Sequence, residues 1–142
     1  MKLVATLIAC LSLTTALAQP KPTATPTTSK TATAAVKGPG QVIYEQNCLS
    51  CHQANGSGVP GLNPPLRGVD WVTGDKNRLI NVLLKGLQGQ EIDGEPYDNV
   101  MPAHDFLTDQ QLADVLTYIR SSFGNKADAI KSEDVKAQRD KK

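Results

Sequence analysis

Apolar residues recur with helical spacing in three stretches of the chain. Leu79, Ile80, Leu83 and Leu84 share one side of a segment that starts near Thr73 to Asp75, runs to Lys85 and stops at Gly86. Leu112, Val115, Leu116, Ile119 and Phe123 form the i, i+3, i+4, i+7 stripe of a longer helix, which Gly124 ends. That helix opens with Thr108-Asp109-Gln110-Gln111, a capping box in which the threonine hydroxyl and the glutamine side chain each satisfy a free backbone amide. A shorter helix is expected over Gln41–Asn47, where Val42, Ile43 and Tyr44 gather on one side just before Cys48.

The intervening segments lack this periodicity. Asn55 to Pro65 holds too many glycines and prolines for a regular element, and Arg67-Gly68-Val69-Asp70-Trp71 continues irregularly. Ile92-Asp93-Gly94-Glu95 reads as a small hairpin around an Asp-Gly turn. Ala127 to Lys142 is mostly charged, with Ile130 and Val135 as its only large apolar residues, and is expected to be a solvated tail or a frayed helix.

A fourth apolar run has a different character. After Met1-Lys2, the segment Leu3 to Leu17 is apolar apart from serine and threonine and leads to Ala16-Leu17-Ala18, the pattern of a secretory signal peptide over residues 1–18. Within it, Leu7-Ile8-Ala9-Cys10 is similar to a lipobox, which would lipidate Cys10. The short apolar stretch before Cys10, and the apolar sequence after it, favour cleavage at the alanine site instead. No other apolar run approaches the roughly 18 residues that span a bilayer. Residues 19–39, rich in Pro, Thr and Ala, cannot bury enough surface to offset ordering entropy and read as a disordered spacer. The folded part is therefore expected at residues 40–126, all-α with one minor hairpin and small enough for a single core to be marginal.

Charge adds little globally: without Lys2, the 15 basic residues become 14, against 14 acidic. Its distribution says more. The spacer carries only Lys21, Lys30 and Lys37, whereas residues 40–126 carry six basic and ten acidic side chains. Glu91, Asp93, Glu95, Asp98, Asp105 and Asp109 all lie within ten residues of Met101, with Lys85 and Arg120 the nearest basic residues in sequence, so a negative surface is expected there. No basic patch interleaved with aromatics supports nucleic-acid binding.

The chemistry centres on Cys48-Leu49-Ser50-Cys51-His52. Two thiols three positions apart, followed at once by an imidazole, fit covalent haem attachment, with the sulfurs added to the vinyl groups and His52 reaching the iron. Three other readings fit less well. A redox dithiol wants a thioredoxin-like βαβ context, a zinc site wants a second ligand pair, and a structural disulfide leaves His52 unexplained. With His52 as one axial ligand, the mature chain offers Met101 and His104 as candidates for the other. Met101, followed by a proline that holds it extended, suits a thioether ligand, although a lone methionine can also be a core filler. His104, beside Asp105, is expected at the surface.

Taken together, Gly40-x-x-x-Tyr44-x-x-x-Cys48-x-x-Cys51-His52, Pro64-x-Leu66-x-Gly68, Gly94-x-x-Tyr97-x-x-x-Met101-Pro102 and Leu116-x-Tyr118-Ile119 resemble a bacterial class I cytochrome c, from Gly40 to about Asn125. The resemblance implies a small all-α cytochrome c fold of three to four helices around one covalent haem c, in which the first and last helices cross with Gly40 allowing close approach and Tyr44 meeting Tyr118. It also implies that the Pro64 carbonyl binds the free ring nitrogen of His52. Tyr97 and Trp71 are candidates to pack beside the haem, with ordinary core packing as the alternative. Function follows in two classes. With His52 and Met101 both on the iron, the protein is a one-electron carrier in a periplasmic respiratory or dehydrogenase-linked chain, meeting redox proteins through an exposed edge, and is not an enzyme. With Met101 displaced, it is a haem enzyme or a gas- or peroxide-binding protein. A dithiol oxidoreductase is the weaker third.

Overall fold

A computed structural model describes residues 36–141; the expected signal peptide, its alternative lipidation at Cys10 and the spacer up to residue 35 lie outside the described residues. Among the described residues there are six helices and isolated bridges but no sheet: α1 (Pro39–Asn47), α2 (Leu49–His52), α3 (Asp70–Thr73), α4 (Lys76–Lys85), α5 (Asp109–Ser121) and α6 (Ser132–Arg139). No helix among them is long and apolar enough to cross a membrane.

Local sequence accounts for most helix ends. Pro39 occupies the first turn of α1, where its missing N–H costs nothing. The Asp75 carboxylate caps α4 by accepting from the Asn77 and Arg78 amides, and Gly86, at φ 77°, ends it in a conformation that L-residues avoid. Thr108 and Gln111 form the expected capping box of α5. Leu107 and Leu112, just before and just inside that helix, are both buried as a staple.

The core lies where α1 crosses α5, closed by α4. Gly40 sits against α5 so tightly that a Cβ there would overlap the Asp114 carbonyl and come within 2.8 Å of the Tyr118 Cβ. Small size at one position thereby sets the helix separation. Tyr44 is buried beside it, its ring 5.5 Å from Tyr118 and 5.3 Å from Phe123, and its hydroxyl donates to the Gln53 carbonyl at 2.6 Å. Arg120, buried on α5, donates to the carbonyls of Val72, Gly74 and Asp128 and so ties the end of α3 and the 128 segment to one helix.

Four sequence expectations are corrected. The helix expected to reach Phe123 ends at Ser121; Phe123 takes φ 58° and turns its ring over Tyr44 and Tyr118. The irregular 67–71 segment contains the start of a one-turn helix, α3. The hairpin shrinks to a single Ile92–Glu95 bridge across Asp93 and Gly94, whose positive φ angles of 53° and 83° make a primed turn.

The fourth correction is the largest. The segment expected to be a solvated tail folds as α6 and packs on α4 and α5, with Val135 fully buried and Ile130 nearly so. Its Arg139 donates to the Asp109 carboxylate and to the Asp105 and Leu107 carbonyls, each at 2.8 Å. The Ile130 backbone pairs both ways with the Thr117 hydroxyl. Two apolar side chains are thus enough to dock a helix when its charged residues find main-chain partners.

Candidate functional site: a slot between His52 and Met101

The Cys48-x-x-Cys51-His52 stretch turns through α2 immediately after α1, with the His52 amide bonded to the Cys48 carbonyl at 2.9 Å. Both thiols are free, Cys48 half-buried and Cys51 exposed. Burial, with Cys51 adding to it, pushes the Cys48 thiol up to about 11. Reactive redox thiols are pushed the other way, so the Cys48 environment does not activate it as a redox nucleophile. Among the described residues no cluster of three or more His, Cys, Asp or Glu is placed to hold a metal ion.

His52 is buried, and its Nδ1–H donates to the Pro64 carbonyl at 3.0 Å, as the resemblance implied. Burial, outweighing that bond, lowers its pKa; His104 lowers it further. Both lowering effects favour the neutral ring, and with Nδ1–H on the Pro64 carbonyl it is Nε2 that carries the lone pair a metal requires. The 56–66 loop delivers the carbonyl. Gly58 packs so closely on the Asn63 and Pro64 carbonyls that a Cβ would collide with both, and its amide donates to the His52 carbonyl. Asn125, which no sequence pattern flagged, locks that loop to α5 by donating to the Leu66 and Ile119 carbonyls and accepting from the Gly68 amide.

Met101 is fixed from the other direction. Its amide and carbonyl exchange hydrogen bonds with Leu87, at 2.9 and 3.0 Å, and Gly86 lies so close to the Met101 carbonyl that a Cβ would approach it to 2.5 Å. Two adjoining cavities have Cys48, His52, Met101 and His104 in both linings. One is walled by Leu66, Leu79, Val82, Leu83, Leu107, Val115, Leu116 and Ile119. The other opens past Asn47, Cys51, Asn63, Pro64, Asn99, Val100 and Pro102. An apolar slot with a thiol pair, an imidazole and a thioether around it, and amides at its mouth, fits a flat macrocycle with polar substituents at one edge.

The structure places the other candidates differently. Tyr97 is half-buried and lines neither cavity. Trp71 also stands outside both, half-buried under the Arg78 guanidinium at 4.7 Å and lining a separate shallow groove with Leu87 and Gln90. His104, expected at the surface, is buried at 9% exposure. Its amide donates to the Leu83 carbonyl at 2.6 Å, its Nδ1–H to the Pro102 carbonyl at 3.0 Å, and its ring packs 5.8 Å from Phe106. Only the long-range bond to α4 draws it inward, and no local pattern signals that.

With this geometry in view, the comparisons with known proteins agree. Residues 38–123 match the family model "Cytochrome c", and the chain belongs to that family. It is 44% identical over 91 residues to cytochrome c-552 of Thermus thermophilus, covering 61% of this chain and 69% of that one. It is 36% identical over 107 residues to the gluconate 2-dehydrogenase cytochrome c subunit of Pantoea cypripedii, and 38% over 91 residues to the alcohol dehydrogenase (quinone) cytochrome c subunit of Gluconacetobacter polyoxogenes. These alignments take 70% and 63% of this chain but only 24% and 19% of those larger relatives. Family membership brings a covalently bound haem c, with Cys48 and Cys51 in the attachment position, and haem-based electron transfer.

Proposed function

We propose that the chain is a one-electron carrier of an exported, periplasmic electron-transfer chain, with His52 and Met101 as the two axial ligands and no catalytic role of its own. Bound in the slot, the haem supplies a single one-electron couple. The protein's part is to keep that couple low-spin, dry and reachable. His52 is oriented by the Pro64 carbonyl, and Met101 is pinned by its two bonds to Leu87, so the chain's own hydrogen bonds brace both ligand-bearing segments. The single observation that carries the reading is that both cavities have Cys48, His52 and Met101 in their linings.

Residues 1–18 direct export in this reading, and the stretch from residue 19 up to the start of α1 tethers the domain. The relatives named as dehydrogenase cytochrome subunits, together with one named as a cbb3-type oxidase subunit, support redox proteins as partners. The open cavity mouth is flanked by exposed Val100, and the Asp98 and Asn99 amides bond to the Gly61 and Leu62 carbonyls, which brings exposed Leu62 alongside. Glu91, Asp93, Glu95, Asp98 and Asp105 are exposed on the same 91–105 segment, whereas Asp109 is neutralised by Arg139 of α6, a base the sequence did not bring near. We assign to this face a partner with a basic docking surface.

Stopped-flow electron transfer between the haem-loaded protein and a cognate dehydrogenase or oxidase subunit tests this. The rate falls as ionic strength shortens the Debye length from about 30 to about 10 Å, and Asp93→Lys with Glu95→Lys lowers it again at low salt. A rate flat in salt and indifferent to the double substitution overturns the docking assignment. A purified protein without a reversible one-electron couple overturns the carrier itself.

A further inference from the structure

The two histidines of the mature chain are presented in the same way. His52 is buried, lines both cavities, and has its Nδ1–H committed to a proline carbonyl, that of Pro64, at 3.0 Å. His104 is buried, lines both cavities, and has its Nδ1–H committed to a proline carbonyl, that of Pro102, also at 3.0 Å. A carbonyl can only accept, so each bond puts a hydrogen on Nδ1, and it is Nε2 that carries the lone pair in the neutral ring. A histidine that binds a metal almost always donates its other ring N–H to a carboxylate, a backbone carbonyl or water, and both histidines meet that requirement. For His52 a metal explains it. For His104 nothing in the carrier reading does, because Met101 already fills the second ligand role.

We infer that His104 is a reserve axial ligand, a nitrogen donor held beside Met101 that takes the sixth position on the iron when the thioether is removed or oxidised. The inference rests on the carrier reading with His52 and Met101 as native ligands, and adds to it a second, alternative metal-binding residue. In the exchange the Met101 sulfur leaves with its own electron pair and the His104 Nε2 pair replaces it. No proton moves, because Nδ1 keeps its hydrogen on the Pro102 carbonyl.

The loop is built for such an exchange. His104 lies three residues from Met101, and the two are anchored separately: Met101 by its bridge to Leu87, and His104 by its amide on the Leu83 carbonyl at the end of α4. Loss of the thioether therefore does not release the imidazole. Methionine is the ligand most open to oxidation, since a thioether becomes a polar sulfoxide with peroxide as oxidant. A carrier with this arrangement keeps six-coordinate iron after that damage, at a lower potential, rather than exposing an open iron to oxygen and peroxide.

The test uses the full haem-loaded chain in four forms: wild type, Met101→Leu, His104→Phe, and the double variant, with Met101→Ala as a second single variant in case leucine repacks the slot. Covalent haem is first checked by mass in every form; its absence from the wild type overturns the carrier reading and this inference with it. Ferric electron paramagnetic resonance and optical spectra then report the ligands. His104→Phe is expected to keep the thioether-to-iron charge-transfer band. Met101→Leu and Met101→Ala are expected to lose that band but remain low-spin with two nitrogen ligands, and the double variant to become high-spin. If His104 occupies the iron nine-tenths of the time in the single Met101 variants, carbon monoxide or azide binds them about tenfold more weakly than the double variant. High-spin iron in the Met101 single variants, with azide affinity equal to that of the double variant, overturns the proposal, as does loss of the charge-transfer band in His104→Phe with none in Met101→Leu.

Discussion

Helix α5 is packed from two sides, by α1 and by α6, and the two contacts are made of different material. The α1 contact is a close crossing: a glycine against a carbonyl, and Tyr44 against Tyr118 and Phe123. The α6 contact has only Val135 and Ile130 in its apolar part, ringed by directed bonds from Arg139 to the Leu107 carbonyl and the Asp109 carboxylate and from Thr117 to the Ile130 carbonyl, while Lys76 of α4 holds Asp134 from the neighbouring side. Apolar area and shape hold the first together; directed polar bonds around a small apolar centre hold the second. The first can be anticipated from residue types, the second only once the partners are known.

The comparison breaks most directly if α6 is removed. Ending the chain at Lys126 exposes the surfaces that Ile130 and Val135 cover, each contributing about 2 kcal/mol, and leaves the Arg120 side chain without the Asp128 carbonyl. The haem-loaded protein is expected to lose about 4 kcal/mol or more in denaturant titration, a large part of the stability of a small domain. A midpoint that does not move would mean that the segment is the solvated tail its composition suggests.

The α1 contact yields to one atom group. Gly40→Val places side-chain carbons where the Asp114 carbonyl and the Tyr118 Cβ already are, and a backbone carbonyl inside a helix cannot rotate away. About 3 kcal/mol of destabilisation is expected, at the upper end for overpacking, with α1 displaced and Tyr44 partly exposed. Tyrosine fluorescence and the unfolding midpoint should change together. Retained stability would show that the crossing is looser than the Gly40 geometry states.

The same contrast explains what was legible. α4, α5 and the capping box follow from period and local chemistry, and all three appear as expected, α5 two residues short. The motif Cys48-x-x-Cys51-His52 and Met101, far apart in sequence, meet in the same slot, and Pro64 bonds His52. What escaped was set by contacts at long sequence separation between polar groups. His104 follows Met-Pro-Ala and precedes Asp, the setting of an exposed loop, and only the Leu83 carbonyl turns it inward. Asn125 looks like a polar residue after a helix, yet it joins three backbone groups. For Trp71 the residue type leaves haem packing and ordinary core packing both open, and the Arg78 guanidinium over its ring is a contact that no local pattern signals.

The smallest expected effect probes the polar side of the α6 contact alone. Asp134 on α6 receives a hydrogen bond from the Lys76 ammonium of α4 at 2.7 Å and another from the Lys131 amide, and these hold its carboxyl below the ordinary 3.8. A carboxyl whose folded pKa is depressed stabilises the fold above the unfolded value, and that contribution disappears as pH falls through the folded value. The pair is partly exposed, so about 0.5 kcal/mol is at stake. Asp134→Asn should therefore lower stability slightly at neutral pH, with the gap to the wild type closing as the pH drops below about 3.8. The same gap should shrink in high salt, because screening weakens an exposed pair but not the burial of Val135. A difference independent of both pH and salt would mean that the residue acts through the α6 first turn and not through Lys76, and the polar account of this contact would then rest on Arg139 alone.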